Sequence, residues 1–415
     1  MNVEFLTDLN EKVVQIANTI KLLGPLSWPA STEVAFLKTW EAGNPKLPEV
    51  TFSPVDYSEQ KNALKVLLHS FTAEHPLEIF TQKTIESYLT AADMITARGT
   101  PTLQALSLQI YGQPGDKMPG CSLTNIDAAE KLISISKFFN YSYAEKNEVC
   151  TSATEIKEYL DHSIQQKFKA DAPTVVITDE LSSKATAGRK RVRLRNDTCF
   201  TLYDHDQLLI HEVMTHSLTV INGTHQPILK TLSLGAPRTT ATQEGLATFA
   251  EVITGNMDLN RLNRLALRIV AIDKALKGAE FIDIFKFFLE NGQSAKESFW
   301  SSARVFRGGA PNQGIVFTKD SIYLDGLIKA HTLFRWAFMN GRLDLTNLLF
   351  CGRLTIDDLF LLEDAFLSGL ISPPTYYPNW YERIDGLAGR LGFSLLANMV
   401  RLDELEDYFS KKCHT

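Results

Sequence analysis

The segment His211-Glu212-Val213-Met214-Thr215-His216, followed after a loop by Gln243-Glu244-Gly245-Leu246-Ala247, gathers two imidazoles, an adjacent carboxylate and a distal carboxylate. That is the inventory of a zinc hydrolase. A catalytic zinc takes three nitrogen or oxygen ligands, with His, His and Glu a standard set, and keeps a fourth position for water. On these residue types, His211, His216 and Glu244 are the candidate ligands of one zinc ion. Glu212, beside the first ligand, has the chemistry to take a proton from the metal-bound water. The spacing raises a question, because residues at i and i+4 lie about 40° apart around an α-helix whereas i and i+5 lie about 140° apart. Either the helix ends near His216 or it carries a wide turn of the π type, a feature common at functional sites.

The combination of His211-Glu212-x-x-x-His216 with Gln243-Glu244-Gly245-Leu246-Ala247 resembles the QEGLA-motif proteins, whose eukaryotic members are the microtubule-associated tyrosine carboxypeptidases. The resemblance runs from about Tyr88 to the end of the chain, through Arg98-Gly99-Thr100-Pro101, Tyr111-Gly112, Thr318-Lys319-Asp320 and Tyr323-Leu324-Asp325-Gly326-Leu327. It implies a metallopeptidase in which His211, His216 and Glu244 bind zinc and Glu212 is the catalytic base. Removal of a C-terminal tyrosine or other aromatic residue from a peptide or protein tail is the reaction it implies. The first 80 or so residues carry no part of the resemblance.

Peptide hydrolysis also needs a donor for the tetrahedral oxyanion, and a carboxypeptidase needs a cation for the terminal carboxylate. Arg307, before the pair Gly308-Gly309, and Lys319 are the candidate carboxylate binders, and Tyr323 is the candidate oxyanion donor. In the basic run Arg189, Lys190, Arg191, Arg193 and Arg195, the last three alternate with apolar residues and so fall on one face of a strand. Such a face is ordinarily solvated; against an acidic tail, Arg193 and its neighbours make a complementary wall. Glu251, two turns beyond Glu244, is either the carboxylate partner of a metal-bound imidazole or a solvated helix residue. His205 and His225 are alternative ligands flanking the motif, and His331 is expected to be structural. His69, His75, His162 and His414 have no constellation around them.

The 415 residues, 44% apolar, allow a substantial core in two lobes: a helical lobe over residues 1–165 and a zincin-like lobe over 166–415. A net charge of −6 argues against a general nucleic-acid binder, and no uncharged apolar run of membrane-spanning length exists. Five scattered cysteines without a Cys-x-x-Cys pair, and an acidic N-terminus without a secretion signal, fit a reducing, cytoplasmic setting. Apolar periodicity predicts helices over residues 2–23, 58–70, 76–96, 126–139, 243–254, 261–276, 281–291, 321–339 and 355–369. Four prolines mark residues 27–55 as an irregular connection. Residues 174–178 and 189–195 read as strands around a polar turn at 182–188, the second serving as the edge that holds extended peptide beside the metal. Asp204 is expected to cap the helix bearing the His-Glu motif, and Asn222-Gly223 to end it. The fold expected is α+β and mostly helical. A zinc endopeptidase and a non-catalytic zinc-bearing regulator are the competing functions.

Overall fold

A computed structural model describes residues 2–137, 150–181 and 183–401. The apolar stripe Leu6, Leu9, Val13 and Ala17 folds as α1 (Val3–Ala17). Next come α2 (Ser31–Glu41), α3 (Ser58–Leu68), α4 (Pro76–Thr96), α5 (Pro101–Tyr111), α6 (Asn125–Lys137) and α7 (Ala153–Phe168). The sheet follows: β1 (Thr174–Thr178), β2 (Ala185–Ala187) and β3 (Arg191–Arg195). Then α8 (Leu202–Leu208) runs without a break into a π-helix (Leu209–Ser217) and α9 (Leu218–His225). The chain continues through α10 (Thr240–Thr254), α11 (Leu259–Leu276), α12 (Phe281–Glu290), α13 (Ala295–Val305), α14 (Ile322–Met339), α15 (Leu348–Cys351), α16 (Ile356–Leu367), α17 (Asn379–Glu382) and α18 (Ile384–Ala397). The architecture is α+β and mostly helical, around one three-stranded mixed sheet. No helix among the described residues is long and apolar enough to cross a membrane.

Several local expectations change. The segment read as irregular holds α2, because Pro29 and Pro45 bracket that helix without interrupting it. Its Phe36 is buried against Phe281, Phe285 and Phe299, with centroids 4.8–5.6 Å away. The turn at 182–188 contains β2, a strand too short to show periodicity; Ser182 itself lies outside the described residues, as do Phe139, Cys413 and His414. β3 is not the edge. It pairs in parallel with β1 and antiparallel with β2, so its backbone is used on both sides and β2 is the edge nearer the π-helix. The helical cap is Thr201 rather than Asp204: the Asp204 N–H reaches the Thr201 hydroxyl, and the Asp204 carboxylate accepts from the Thr201 N–H at 2.6 Å. Gly223 lies inside α9, where an added Cβ would sit 2.5 Å from the Leu232 carbonyl oxygen, so this glycine serves close packing and not a helix stop. Cys150 and Cys199 form a disulfide across the Thr151–Phe200 bridge, so the scattered cysteines no longer bear on the redox compartment.

The largest apolar cluster joins Leu6 and Leu9 of α1 and Phe80 of α4 to Val213 and Met214 of the π-helix, Leu246 and Phe249 of α10, and Leu324 and Leu327 of α14. Two glycines set the crossing of α10 and α14. A Cβ on Gly245 would meet the Gly326 carbonyl oxygen at 2.2 Å, and one on Gly326 would meet the Ala241 carbonyl oxygen at 2.3 Å. Backbone therefore lies on backbone where α10 crosses α14. That contact carries the start of α14, and the turn Thr318–Ser321 before it, up to Glu244.

Candidate metal centre

The π-helix settles the spacing question. In this geometry residue i+5 bonds back to residue i, and the Thr215 hydroxyl adds a bond of the same reach, donating to the Ile210 carbonyl at 3.0 Å. The wide turn returns His216 to the side of His211, with ring centroids 4.9 Å apart. Val213 and Met214 occupy the opposite side and pack into the core.

Glu244, from α10, faces both rings. Its Oε2 is 3.4 Å from His211 Nε2 and 3.5 Å from His216 Nε2. One donor atom from each of the three residues falls within a 4.8 Å group. Ligands about 2.0–2.2 Å from a shared tetrahedral zinc would stand about 3.3–3.6 Å apart, so the spacing suits that ion. The protonation pattern suits it too. His211 Nδ1 is 2.6 Å from the Glu251 carboxylate and is its hydrogen-bond donor, which leaves the Nε2 of a neutral ring with only a lone pair. That lone pair meets a buried Glu244 oxygen that has no regular hydrogen-bond partner. Acceptor against acceptor repels unless a proton or a metal cation lies between. Burial opposes charge on His211, yet Glu244, Glu251 and Glu212 outweigh it and push the imidazole up to about 10. The constellation stabilises positive charge at its centre.

Glu251 is fully buried and firmly held. Arg261 grips it through two hydrogen bonds of 3.1 Å and Gln207 donates to it at 3.0 Å. Burial alone would raise its pKa, but Arg261 and then His211 bring it down to about 2. Of the two roles open to Glu251 from sequence, this contact fits the imidazole partner. Glu212 is half-buried next to His211, with no hydrogen bond to another described residue.

Beyond Glu244 stands a cationic wall. Lys319 Nζ lies 3.4 Å from Glu244 Oε1 and 5.2 Å from the Tyr323 ring centroid. Arg304 pairs bidentately with Asp320 at 2.6 and 2.7 Å, and Arg268 approaches the same carboxylate at 3.7 Å and the Tyr323 ring at 5.7 Å. Arg307 is buried among Arg304, Asp320, Tyr323 and Tyr111, without an ion pair or side-chain hydrogen bond to any described residue. Its burial, and next the charge of Arg304, push it down to about 10. On the other flank, Arg353 donates to the His216 carbonyl at 3.2 Å and feels the charges of Glu244 and Glu212. Asp320, Arg304, Arg268, Arg261 and Arg353 escaped the sequence reading; only Asp320, in the quoted Thr318-Lys319-Asp320, carried any signal.

The remaining candidates lie elsewhere. Arg193 is exposed on the solvent face of β3, opposite buried Val192 and Leu194, and makes no polar contact with the cluster. His205 stacks on Tyr159, His225 contacts Thr375 and Asp171, and His331 packs on Phe249, so none joins His211 and His216.

No curated protein matches the chain. A family model described as microtubule-associated tyrosine carboxypeptidase matches residues 35–399, reaching some fifty residues further toward the N-terminus than the motifs alone indicate. With that match across most of its length, the chain belongs to the microtubule-associated tyrosine carboxypeptidase family.

Proposed function

We propose that the protein is a zinc-dependent carboxypeptidase that releases a C-terminal tyrosine or other aromatic residue from a peptide or protein tail. The observation that carries this reading is the convergence of His211, His216 and Glu244, with Lys319 and Tyr323 next to them and, beyond these, a buried Arg307 that has no ion pair among the described residues. Bound zinc would supply Lewis acidity, easing deprotonation of water and polarising the scissile carbonyl. Glu212, without a competing hydrogen bond among the described residues, accepts the proton and returns it to the leaving amine. Glu251, fixed by Arg261, keeps the His211 ring in the tautomer and orientation that offer Nε2. Tyr323 is the proposed oxyanion donor.

The two cations divide the remaining work. Lys319 is already engaged by Glu244, which leaves Arg307 as the guanidinium available to a terminal carboxylate. Tyr111, buried near both and stacked edge-on against Phe317 at 5.6 Å, adds an aromatic wall suited to a terminal tyrosine ring. Arg193, on its exposed strand face, is proposed to meet acidic residues further up the tail.

Mass spectrometry of tyrosine-ended peptides with free and amidated C-termini, incubated with zinc-loaded protein, tests the reading. Removing the charge opposite a desolvated cation costs roughly 2–5 kcal/mol, so free termini should be favoured at least about thirtyfold, with release of the last residue alone. Internal cleavage of the amidated peptide at an undiminished rate would replace this reading with a zinc endopeptidase. Zinc binding without hydrolysis of either peptide would leave a non-catalytic zinc protein.

A further inference from the structure

A π-helix of nine residues needs support, because the i→i+5 pattern is rare and usually confined to a single turn. Reverting to α-geometry would swing His216 about 100° per displaced residue away from Glu244. The supports are on view. Ser217 donates to the Gly188 carbonyl at 3.0 Å, and Arg353 to that of His216 at 3.2 Å. The Thr219 hydroxyl has three acceptors in reach: the Thr215 carbonyl at 2.8 Å, Gln243 Oε1 at 2.9 Å and the His216 carbonyl at 3.3 Å. Thr219 and Gln243 are both buried, at 0% and 5% exposure. A buried amide needs such a partner, and an apolar side chain would fill the same space without one.

Gln243 precedes Glu244 on α10, and Thr219 follows His216 by three residues. Their bond is therefore one of two clamps, among the described residues, between the elements that supply the three side chains. The other is Glu251 with His211 and Gln207. The clamps sit eight residues apart on α10, about 12 Å along its axis, with Glu244 between them. They run antiparallel to the π-bearing helix, so both are satisfied in a single register.

We infer that Gln243 is a positioning residue: through Thr219 it fixes the π-helix against α10 and so sets the separation of both histidines from Glu244. The inference rests on the zinc-site reading above. It assigns the glutamine of the Gln-Glu-Gly-Leu-Ala motif a task at the metal without contact to the metal.

The test uses the full chain with Zn2+ and Co2+ as probes, comparing wild type with Thr219→Val, Gln243→Met, their double variant and Thr219→Ser. Each of the first two should weaken zinc binding about ten- to hundredfold, the range for groups that orient a ligand, and should alter the visible band of bound Co2+. The double variant should bind about as well as either single one, because both remove the same link. Thr219→Ser, which keeps the hydroxyl, should retain wild-type affinity. A bond that only stabilised the fold would lower the melting midpoint of the metal-free chain and leave metal affinity and the Co2+ spectrum unchanged; that result, or additive losses in the double variant, overturns the inference. A wild-type chain that binds neither ion overturns the zinc-site reading along with it.

Discussion

Glu212 and Glu251 are both glutamates within reach of His211, and their surroundings separate their tasks. Glu251 has every oxygen engaged and is pinned as an anion, whereas Glu212 is half-buried without a hydrogen bond to another described residue. Glu212→Gln should therefore keep fold and metal and lose at least about a hundredfold in turnover, measured as kcat on a tyrosine-ended peptide. Asp320 provides a second test. Burial would raise its pKa, but Arg304 and then Arg268 outweigh burial and hold it below the usual carboxylate range. A depressed carboxylate contributes stability that is present above its unfolded pKa of about 3.9 and is lost as pH falls toward the lower folded value. Denaturant melts should show this acid loss in wild type and not in Asp320→Asn. At neutral pH that variant should be about 3–5 kcal/mol less stable, since it leaves two buried guanidinium groups uncompensated.

The crossing of α10 over α14 is the element on which the site depends. Gly326→Ala would press a methyl group into the Ala241 carbonyl, which is backbone and cannot turn aside. A loss of about 1–3 kcal/mol or more is expected in urea unfolding, together with weaker zinc binding as α14 is displaced. Gly389→Ala is the contrast: this exposed α18 position has nothing within 4 Å of an added Cβ, and the change should stabilise by about 0.5–1 kcal/mol. Which elements were legible in the sequence follows from the range of the signal. β1 and the long amphipathic helices carry their period locally, and the clustered His and Glu types pointed to one site. The alternatives left by the i and i+5 histidines are separated only in the folded chain, where Thr219 meets Gln243 and Arg353 meets the His216 carbonyl, contacts that local pattern does not encode. β2 was too short to show, and the edge of the sheet follows from strand order, which is a long-range property. The Arg304–Asp320–Arg268 network joins α11, α13 and the turn before α14, and no spacing in the chain announces it.

At the scale of the whole molecule, the first helix precedes the family-matched region yet belongs to the same core. Asn10, fully buried, donates to Thr81 of α4 at 3.1 Å and accepts from the Thr231 hydroxyl, so α1 is tied to the loop that leads into α10. Leu9, 2% exposed, sits one residue away, and Leu9→Ala should cost about 2–5 kcal/mol in equilibrium unfolding. The aromatic cluster around Phe36 and Phe285 anchors α2 in the same manner against α12 and α13. These layers hold the sheet, the π-helix, α10 and α14 around one point. The claim that this point is a zinc site is tested most directly by elemental analysis of the purified chain beside two variants. About one zinc per chain is predicted for wild type and for Glu212→Gln, and close to none for Glu244→Ala, because one of three protein ligands is gone. Full zinc occupancy in Glu244→Ala, or none in wild type after exposure to zinc, would contradict it.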